Sequence, residues 1–175
     1  LAYNEFDAFI IKGELDAQLF EKAFQALVAR HEILRTTFAF IAGELKQQVH
    51  EFTDNMFDFQ QMDWGNVADK RVAIDALAYN EANAPFRLDK GPLLRSKLIQ
   101  LERDEYIFLF TMHHIICDEW SKNVIIREIM TRYGDYKHQK PSALTQLKIH
   151  YKDYAHWYRQ FQETEEFKQH QAYWL

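Results

Sequence analysis

The 175-residue sequence has little of the residues that punctuate or cross-link a chain: one cysteine, five glycines and three prolines. The single cysteine, Cys117, excludes an internal disulfide framework and is typical of a reducing compartment, so we expect a cytoplasmic protein. No apolar run approaches the length of a membrane span, and no cleavable signal pattern stands at the start. GxSxG, CxxC and GxGxxG motifs are absent, which removes the usual signatures of α/β-hydrolases, thiol or zinc sites and dinucleotide binding.

Composition predicts one folded domain. Apolar residues make up 47% of the chain and aromatic residues 15%, which is enough for a packed core. The formal net charge is −5, and acidic and basic residues are interspersed without a basic stripe, so nucleic-acid binding is not indicated. Because the sequence opens directly into a predicted strand, we expect the natural N-terminus to lie upstream.

Hydrophobic spacing predicts an α/β fold with a mixed or mainly antiparallel sheet and helices against its faces. Residues 105–113 are apolar on both faces, which indicates a strand in the middle of a sheet that is covered on both sides. The other expected strands are residues 5–12, 35–41, 45–50, 57–62 and 93–101. Helices are expected after caps at Asp16 and Asn66, near residues 118–121, and in an aromatic segment at residues 151–161.

Chemistry-bearing side chains are concentrated in residues 112–121 (MHHIICDEWS), where the central strand is predicted to end and a helix to begin. Since adjacent strand residues point to opposite faces, His113 and His114 cannot both face one pocket while the strand stays regular. This disfavours a metal site built on the pair. We expect one histidine to face the chemistry and the other to be held in the packing.

Each residue of this segment also has an ordinary structural interpretation. A single histidine at a strand end is most often a satisfied structural residue. Asp118 and Ser121 are typical helix caps, and Cys117 is typical of a small buried residue. Asp118 is also placed to accept a hydrogen bond, or to pair with an arginine, and so to fix the loop.

Four segments, in order along the chain, resemble the motifs of one known family. Residues 112–121 resemble the HHxxxDG signature of the condensation domains of nonribosomal peptide synthetases, and the Trp-Ser ending continues that motif. Residues 30–38 (RHEILRTTF) are similar to the family's RHExLRTxF motif, and residues 151–157 (YKDYAHW) to its YxDYAxW motif. Residues 85–95 (PFRLDKGPLLR) are similar to its PFDL…GPLLR stretch.

The resemblance implies a fold like that of chloramphenicol acetyltransferase, with two related halves and an active site in the tunnel between them. It implies that residues 1–175 form most of the N-terminal subdomain. The family's first helix, and the C-terminal subdomain with its FVNT-like segment, have no counterpart here. The histidine pair and the Trp-Ser order favour condensation over the heterocyclisation and epimerisation relatives.

Two positions depart from the family pattern. Glu119 stands where HHxxxDG has glycine, and Arg87 stands where PFDL has aspartate. Because glycine permits close backbone approach and unusual dihedral angles, we expect Glu119 to alter acceptor access or the local geometry. We interpret the arginine as a harmless surface change.

The resemblance also implies a reaction, amide-bond formation between a donor thioester and an acceptor amine. His114 is the implied catalytic residue, either as a general base or by positioning the amine and stabilising developing charge. His113 is implied to be structural.

Residues that follow or surround the histidines receive supporting roles. Asp118 is expected to pair with an arginine, with Arg35 as the first candidate and Arg30, or an arginine of the C-terminal subdomain, as alternatives. Glu119, Trp120 and Ser121 are expected to form a loop on the acceptor side.

The partners implied are upstream and downstream peptidyl carrier domains, an adjacent adenylation domain and the C-terminal subdomain. The carrier domains supply phosphopantetheine arms, so no directly bound cofactor or metal is expected, and neither nucleic acid nor membrane is an implied partner. Two alternatives stay open. One is a stand-alone acyltransferase of the same fold that uses coenzyme A, and the other is a non-catalytic module that binds carrier domains.

Overall fold

The computed structural model describes residues 3–53 and 56–174 of the chain, which divides into two compact units, Leu1–Thr145 and Gln146–Leu175. The described part holds six strands and five helices, in this order: β1 Asn4–Lys12, α1 Ala17–Arg30, β2 Thr36–Ile41, β3 Glu44–Val49, β4 Asp58–Asp63, α2 Lys70–Asn83, β5 Leu94–Glu102, β6 Glu105–His113, α3 Glu119–Lys137, α4 Tyr151–Phe161 and α5 Glu165–Trp174. A short 3₁₀ turn, Glu32–Arg35, joins α1 to β2.

Four strands form the main sheet in the order β1-β6-β5-β4. β6 pairs antiparallel with both β1 and β5, whereas β4 pairs parallel with β5, so the sheet is mixed as predicted. In β6, the side chains from Tyr106 to Met112 are buried. The prediction of a central strand covered on both faces is therefore confirmed.

The two faces of β6 pack against different helices. Phe108 and Phe110 face α1, where the ring of Phe24 meets both edge-on at 6.4 and 5.9 Å between centroids. Ile107 and Leu109 belong to a second apolar cluster, against which α2 packs. Alternation along one strand thus contributes side chains to two separate cores.

Helix α1 follows its sequence pattern. Asp16 caps it, and its side chain accepts hydrogen bonds from the backbone N–H groups of Gln18 and Leu19, both at 3.0 Å. The predicted apolar stripe turns inward, with Phe20, Phe24 and Leu27 almost completely buried. This face covers the sheet beside α3.

The helix α2 begins later than predicted, and its cap is not Asn66. The helix starts at Lys70, and the side chain of Asp69 accepts from the backbone N–H of Val72 at 3.1 Å. Asn66 lies in a turn that a backbone hydrogen bond from Val67 to Trp64 closes at 3.1 Å. This turn already satisfies the backbone hydrogen-bonding groups near Asn66, so the helix begins after the next capping residue, Asp69.

β2 and β3 form the expected hairpin. Ala42 and Gly43 both have positive φ, 53° and 84°, which is the backbone of a two-residue turn of the type that joins tightly twisted strands.

The second unit consists of α4 and α5. The backbone N–H of His150 donates to the carboxylate of Asp153 at 2.9 Å at the start of α4. Aromatic rings then stack along the helix, with Trp157 and Phe161 5.4 Å apart and nearly parallel, and Phe167 of α5 packs edge-on against Phe161 at 5.6 Å. The aromatic helix was predicted, but α5 was not.

Candidate active site

The two histidines that end β6 occupy different surroundings. The Nδ1 atom of His113 accepts a hydrogen bond from the backbone N–H of Ile115 at 3.1 Å. Its ring lies edge-on to Phe86, 6.2 Å away, in the segment that follows α2. Partial burial, and the neighbouring His114, lower the pKa of His113. His113 is therefore a neutral ring held in the packing.

His114 lies just beyond the strand and remains open to solvent. Its backbone N–H donates to the carbonyl of Tyr3 at 2.7 Å, which extends the β1–β6 pairing by one bond. Its side chain is 47% exposed, and Nδ1 lies 2.8 Å from the carbonyl oxygen of Cys117. A carbonyl oxygen only accepts, so Nδ1 carries the proton. In the neutral ring the lone pair is then on Nε2.

Asp118 caps α3. Its Oδ1 accepts from the backbone N–H of Ser121 at 2.8 Å and from the hydroxyl of the same residue at 2.5 Å. These bonds lower the pKa of Asp118 because they favour the charged carboxylate. The capping prediction for Asp118 is confirmed.

The predicted ion pair between Asp118 and Arg35 is wrong within the described residues. Arg35 donates to the carbonyl of His50 and lies 3.7 Å from the carboxylate of Glu32. The 3₁₀ turn that precedes β2 directs Arg35 to these neighbours. A pairing of Asp118 with an arginine outside this chain stays a prediction.

Arg30, the second candidate, is also used elsewhere. Its Nε donates to the buried carboxylate of Glu128 on α3 at 3.0 Å, and the ring of His31 lies 2.7 Å from the same oxygen. Two residues of the RHExLRTxF-like segment thus fasten the end of α1 to the middle of α3.

The residues expected to form an acceptor-side loop, Glu119, Trp120 and Ser121, form the first turn of α3 instead. Glu119 is not among the residues with positive φ in the described chain, and its side chain is 80% exposed. The glycine of the family motif is therefore not needed for the backbone conformation here. An acidic side chain in a first helical turn also suits the helix dipole.

Trp120 is 79% exposed and forms one wall of an apolar cavity of about 130 Å³ between the end of α1 and the start of α3. His31, Ile116 and Val124 are among the other lining residues. Cys117 is buried beside the site, and burial raises the pKa of its thiol to about 12. The thiol is therefore protonated and is not a nucleophile near neutral pH.

A carboxylate next to His114, and the lysine that pairs with this carboxylate, were not found from the sequence. Glu5 of β1 has one carboxylate oxygen 3.9 Å from Nδ1 of His114 and the other 3.3 Å from the ammonium of Lys122. Lys122 also contacts Asp7 at 3.3 Å and Glu119 at 2.7 Å. The sequence does show that Glu5 and Asp7 lie on one face of β1. Placing Glu5 beside His114, however, requires the register of β1 against β6.

Within residues 3–53 and 56–174, no group of three or more histidine, cysteine or acidic side chains is arranged to hold a metal ion. The helices of the same part of the chain include none that is both long and apolar enough to cross a bilayer.

The fold and the site define a class of protein: an α/β unit with an exposed histidine at the point where its central strand meets a capped helix. The family model for the condensation domain matches residues 1–175, so the chain belongs to the condensation domain family of nonribosomal peptide synthetases. Gramicidin S synthase 2 from Brevibacillus brevis is 35% identical over 175 residues, which are 100% of this chain and 4% of that protein.

Solved structures agree with the family. The epimerization domain from the third module of tyrocidine synthetase B matches with a TM-score of 0.87 and 26% identity, over 98% of this chain and 39% of that one. The starter condensation domain of rhizomide synthetase matches with a TM-score of 0.89 and 21% identity, over 98% and 41%. The expected fold class, like that of chloramphenicol acetyltransferase, is confirmed. The chain spans about two fifths of each of these solved domains.

Proposed function

We propose that the chain is the N-terminal subdomain of a condensation domain and that His114 acts on the acceptor amine during amide-bond formation. The observation that carries this proposal is the state of the His114 ring. Its Nδ1–H is bound to the carbonyl of Cys117, so in the neutral ring the lone pair is on Nε2, and the side chain is half-exposed at the end of the central strand.

The reaction has simple proton requirements. The amine nitrogen attacks the thioester carbonyl, the C–N bond forms, and the C–S bond breaks. Nε2 of His114 accepts a proton from the amine nitrogen, and that proton is later delivered to the departing sulfur, which leaves as a thiol. The donor is already an activated thioester, so no covalent enzyme intermediate is required.

The same ring suits a second role in this reaction. A hydrogen bond between Nε2 and the amine N–H would align the nitrogen lone pair with the carbonyl carbon without complete proton transfer. General-base catalysis is supported if the rate rises with pH up to a plateau and is lost when the His114 ring is removed by substitution. A ring-dependent rate that does not vary with pH supports positioning.

The proposed substrates are carried on partner domains. An upstream carrier domain presents the donor thioester and a downstream one presents the amine, each on a phosphopantetheine arm, and an adenylation domain loads the acceptor. Homologues of this chain are large synthetases, which supports carrier and adenylation partners. The buried Cys117 is free, and free cysteines are typical of a reducing compartment, which supports a location in the cytoplasm.

We also propose that a second subdomain completes the active site. A match to about two fifths of the solved domains leaves the rest of such a domain to form the opposite wall of the site. Alignment of the two reactants is a large share of catalysis, so residues 1–175 alone are expected to form no product.

The experiment compares three reactions. The purified 175-residue chain is mixed with loaded donor and acceptor carrier proteins, then with the same carriers and the remaining part of the domain, then with an acyl-coenzyme A donor and a free amine. We expect product only in the second reaction. Product from the chain alone would contradict the two-subdomain proposal, and product from acyl-coenzyme A would favour the stand-alone acyltransferase. If the second reaction, which contains the complete domain, also gives no product, the result would favour the non-catalytic module.

A further inference from the structure

One carboxylate lies beside the ring that the proposed function uses. Glu5 Oε1 is 3.9 Å from Nδ1 of His114, and the carbonyl of Cys117 is 2.8 Å from the same nitrogen. β1 pairs with β6 so that Glu5 is opposite Met112, which faces the core beneath α1 and α3. The register therefore directs Glu5 to the α3 side of the sheet, where the His114 loop begins.

Lys122 holds this carboxylate in place. Its ammonium lies 3.3 Å from Glu5 and 3.3 Å from Asp7, and its side chain is only 14% exposed. Hydrogen bonds from the ammonium to the surrounding carboxylates raise the pKa of Lys122, so the lysine stays charged. Glu5 is thus fixed between a permanent cation on one oxygen and the histidine ring on the other.

In the described part of the chain, Glu5 is the acidic side chain that lies closest to Nδ1 of His114, at 3.9 Å. Asp118, the N-cap of α3, also interacts electrostatically with His114, but within the described residues it makes no ion pair with the ring, and its Oδ1 accepts two hydrogen bonds from Ser121. His113, the preceding residue of β6, is neutral in its packed position.

We propose that Glu5 is a positioning residue for His114: its carboxylate favours the ring proton on Nδ1 and so leaves the lone pair of Nε2 for the substrate amine. This inference rests on the proposed function of His114. A negative charge stabilises a proton most at the nearer nitrogen, which here is Nδ1. The same carboxylate lies beside the positive charge that the ring gains when it accepts a proton.

The chain offers a matched pair of variants, Glu5→Gln and Asp7→Asn. Each removes one carboxylate from Lys122 on the same face of β1. In the described part of the chain, Asp7 makes no ion pair with His114, so only the first variant changes the charge beside the ring. Glu5→Asp keeps the charge but withdraws it by one methylene.

The first measurement is ¹⁵N NMR of the His114 ring in the 175-residue chain, at a pH where the ring is neutral. We expect the Nδ1–H form to predominate in the unaltered chain. Glu5→Gln should lower the ratio of the Nδ1–H to the Nε2–H form by about threefold or more, Glu5→Asp should lower it less, and Asp7→Asn should leave it unchanged. In the complete domain, Glu5→Gln should lower kcat by about tenfold with little change in KM.

An unchanged tautomer ratio in Glu5→Gln overturns the inference, and so does an equal change in Asp7→Asn, because that result would place the effect in Lys122. The NMR measurement needs no turnover. It therefore fails or succeeds independently of the proposed function, which is tested by carrier-dependent product formation.

Discussion

Replacing Asp118 with alanine should cost the fold little, and the structure sets the magnitude. Asp118 is exposed, and its carboxylate accepts two hydrogen bonds from Ser121 at the start of α3. Alanine cannot accept either bond, and loss of an N-cap typically costs about 1 kcal/mol. For a chain of this length, such a loss lowers Tm by about 2–4 °C.

The assay is thermal unfolding followed by circular dichroism, with Asp118→Ser as the control because serine retains a capping oxygen. We expect the serine variant to stay within about 1 °C of the unaltered chain. Loss of one partner of a buried ion pair costs about 3–5 kcal/mol. A decrease in Tm of more than about 10 °C in Asp118→Ala would therefore refute the interpretation of Asp118 as an exposed cap.

The pH dependence of this difference follows from the lowered pKa of Asp118. The folded pKa lies below the usual value, so the stabilisation is fully present above the usual value and is lost as pH falls through the folded one. The difference in Tm between the unaltered chain and Asp118→Ala should be constant from about pH 7 to pH 5 and should narrow below about pH 4.

Three other perturbations test the packing around the site. Glu128→Ala removes the buried carboxylate that binds Arg30 and His31, so it should lower the free energy of unfolding, measured in urea, by about 3–5 kcal/mol. The control Glu119→Ala, on the same helix, should lower it by less than about 1 kcal/mol. Equal losses of stability in the two variants would contradict this account. Phe24→Ala should cost about 3–5 kcal/mol, and Phe40→Ala, at a ring that is 77% exposed, less than about 1 kcal/mol. Cys117, with its raised pKa, should react with iodoacetamide at pH 8 at least about tenfold more slowly in the folded chain than in urea, and rapid reaction in the folded chain would show an accessible thiol.

The sheet and its helices were predictable because their signals are local. The doubly apolar segment that became β6, the stripe of α1 and the turn at Ala42-Gly43 each follow from side-chain periodicity or backbone sterics. The start of α2 was not predictable in this way. Asn66 and Asp69 are both good caps, and only the turn that closes at Val67 selects the second.

The candidate site divides along the same line. Strand alternation predicted that His113 and His114 would differ in their surroundings, and they do. The partners of Arg35 and Arg30 depend on where the 3₁₀ turn and α3 lie in space, so the sequence alone could not show that these two candidate partners of Asp118 bind other residues. Glu5 and Lys122 are separated by more than a hundred residues, and the β1–β6 register that joins them cannot be read from either segment alone.

The most direct test of the central claim is product formation by the complete domain carrying His114→Ala, with His113→Ala assayed beside it. Loaded donor and acceptor carrier proteins are mixed with each variant, and amide product is followed by mass spectrometry after circular dichroism has shown that the variant is folded. We predict that His114→Ala lowers the rate by about a hundredfold or more, in line with the loss of a general acid–base group. A folded His114→Ala domain that forms product at a near-normal rate would contradict the assignment of the chemistry to this residue.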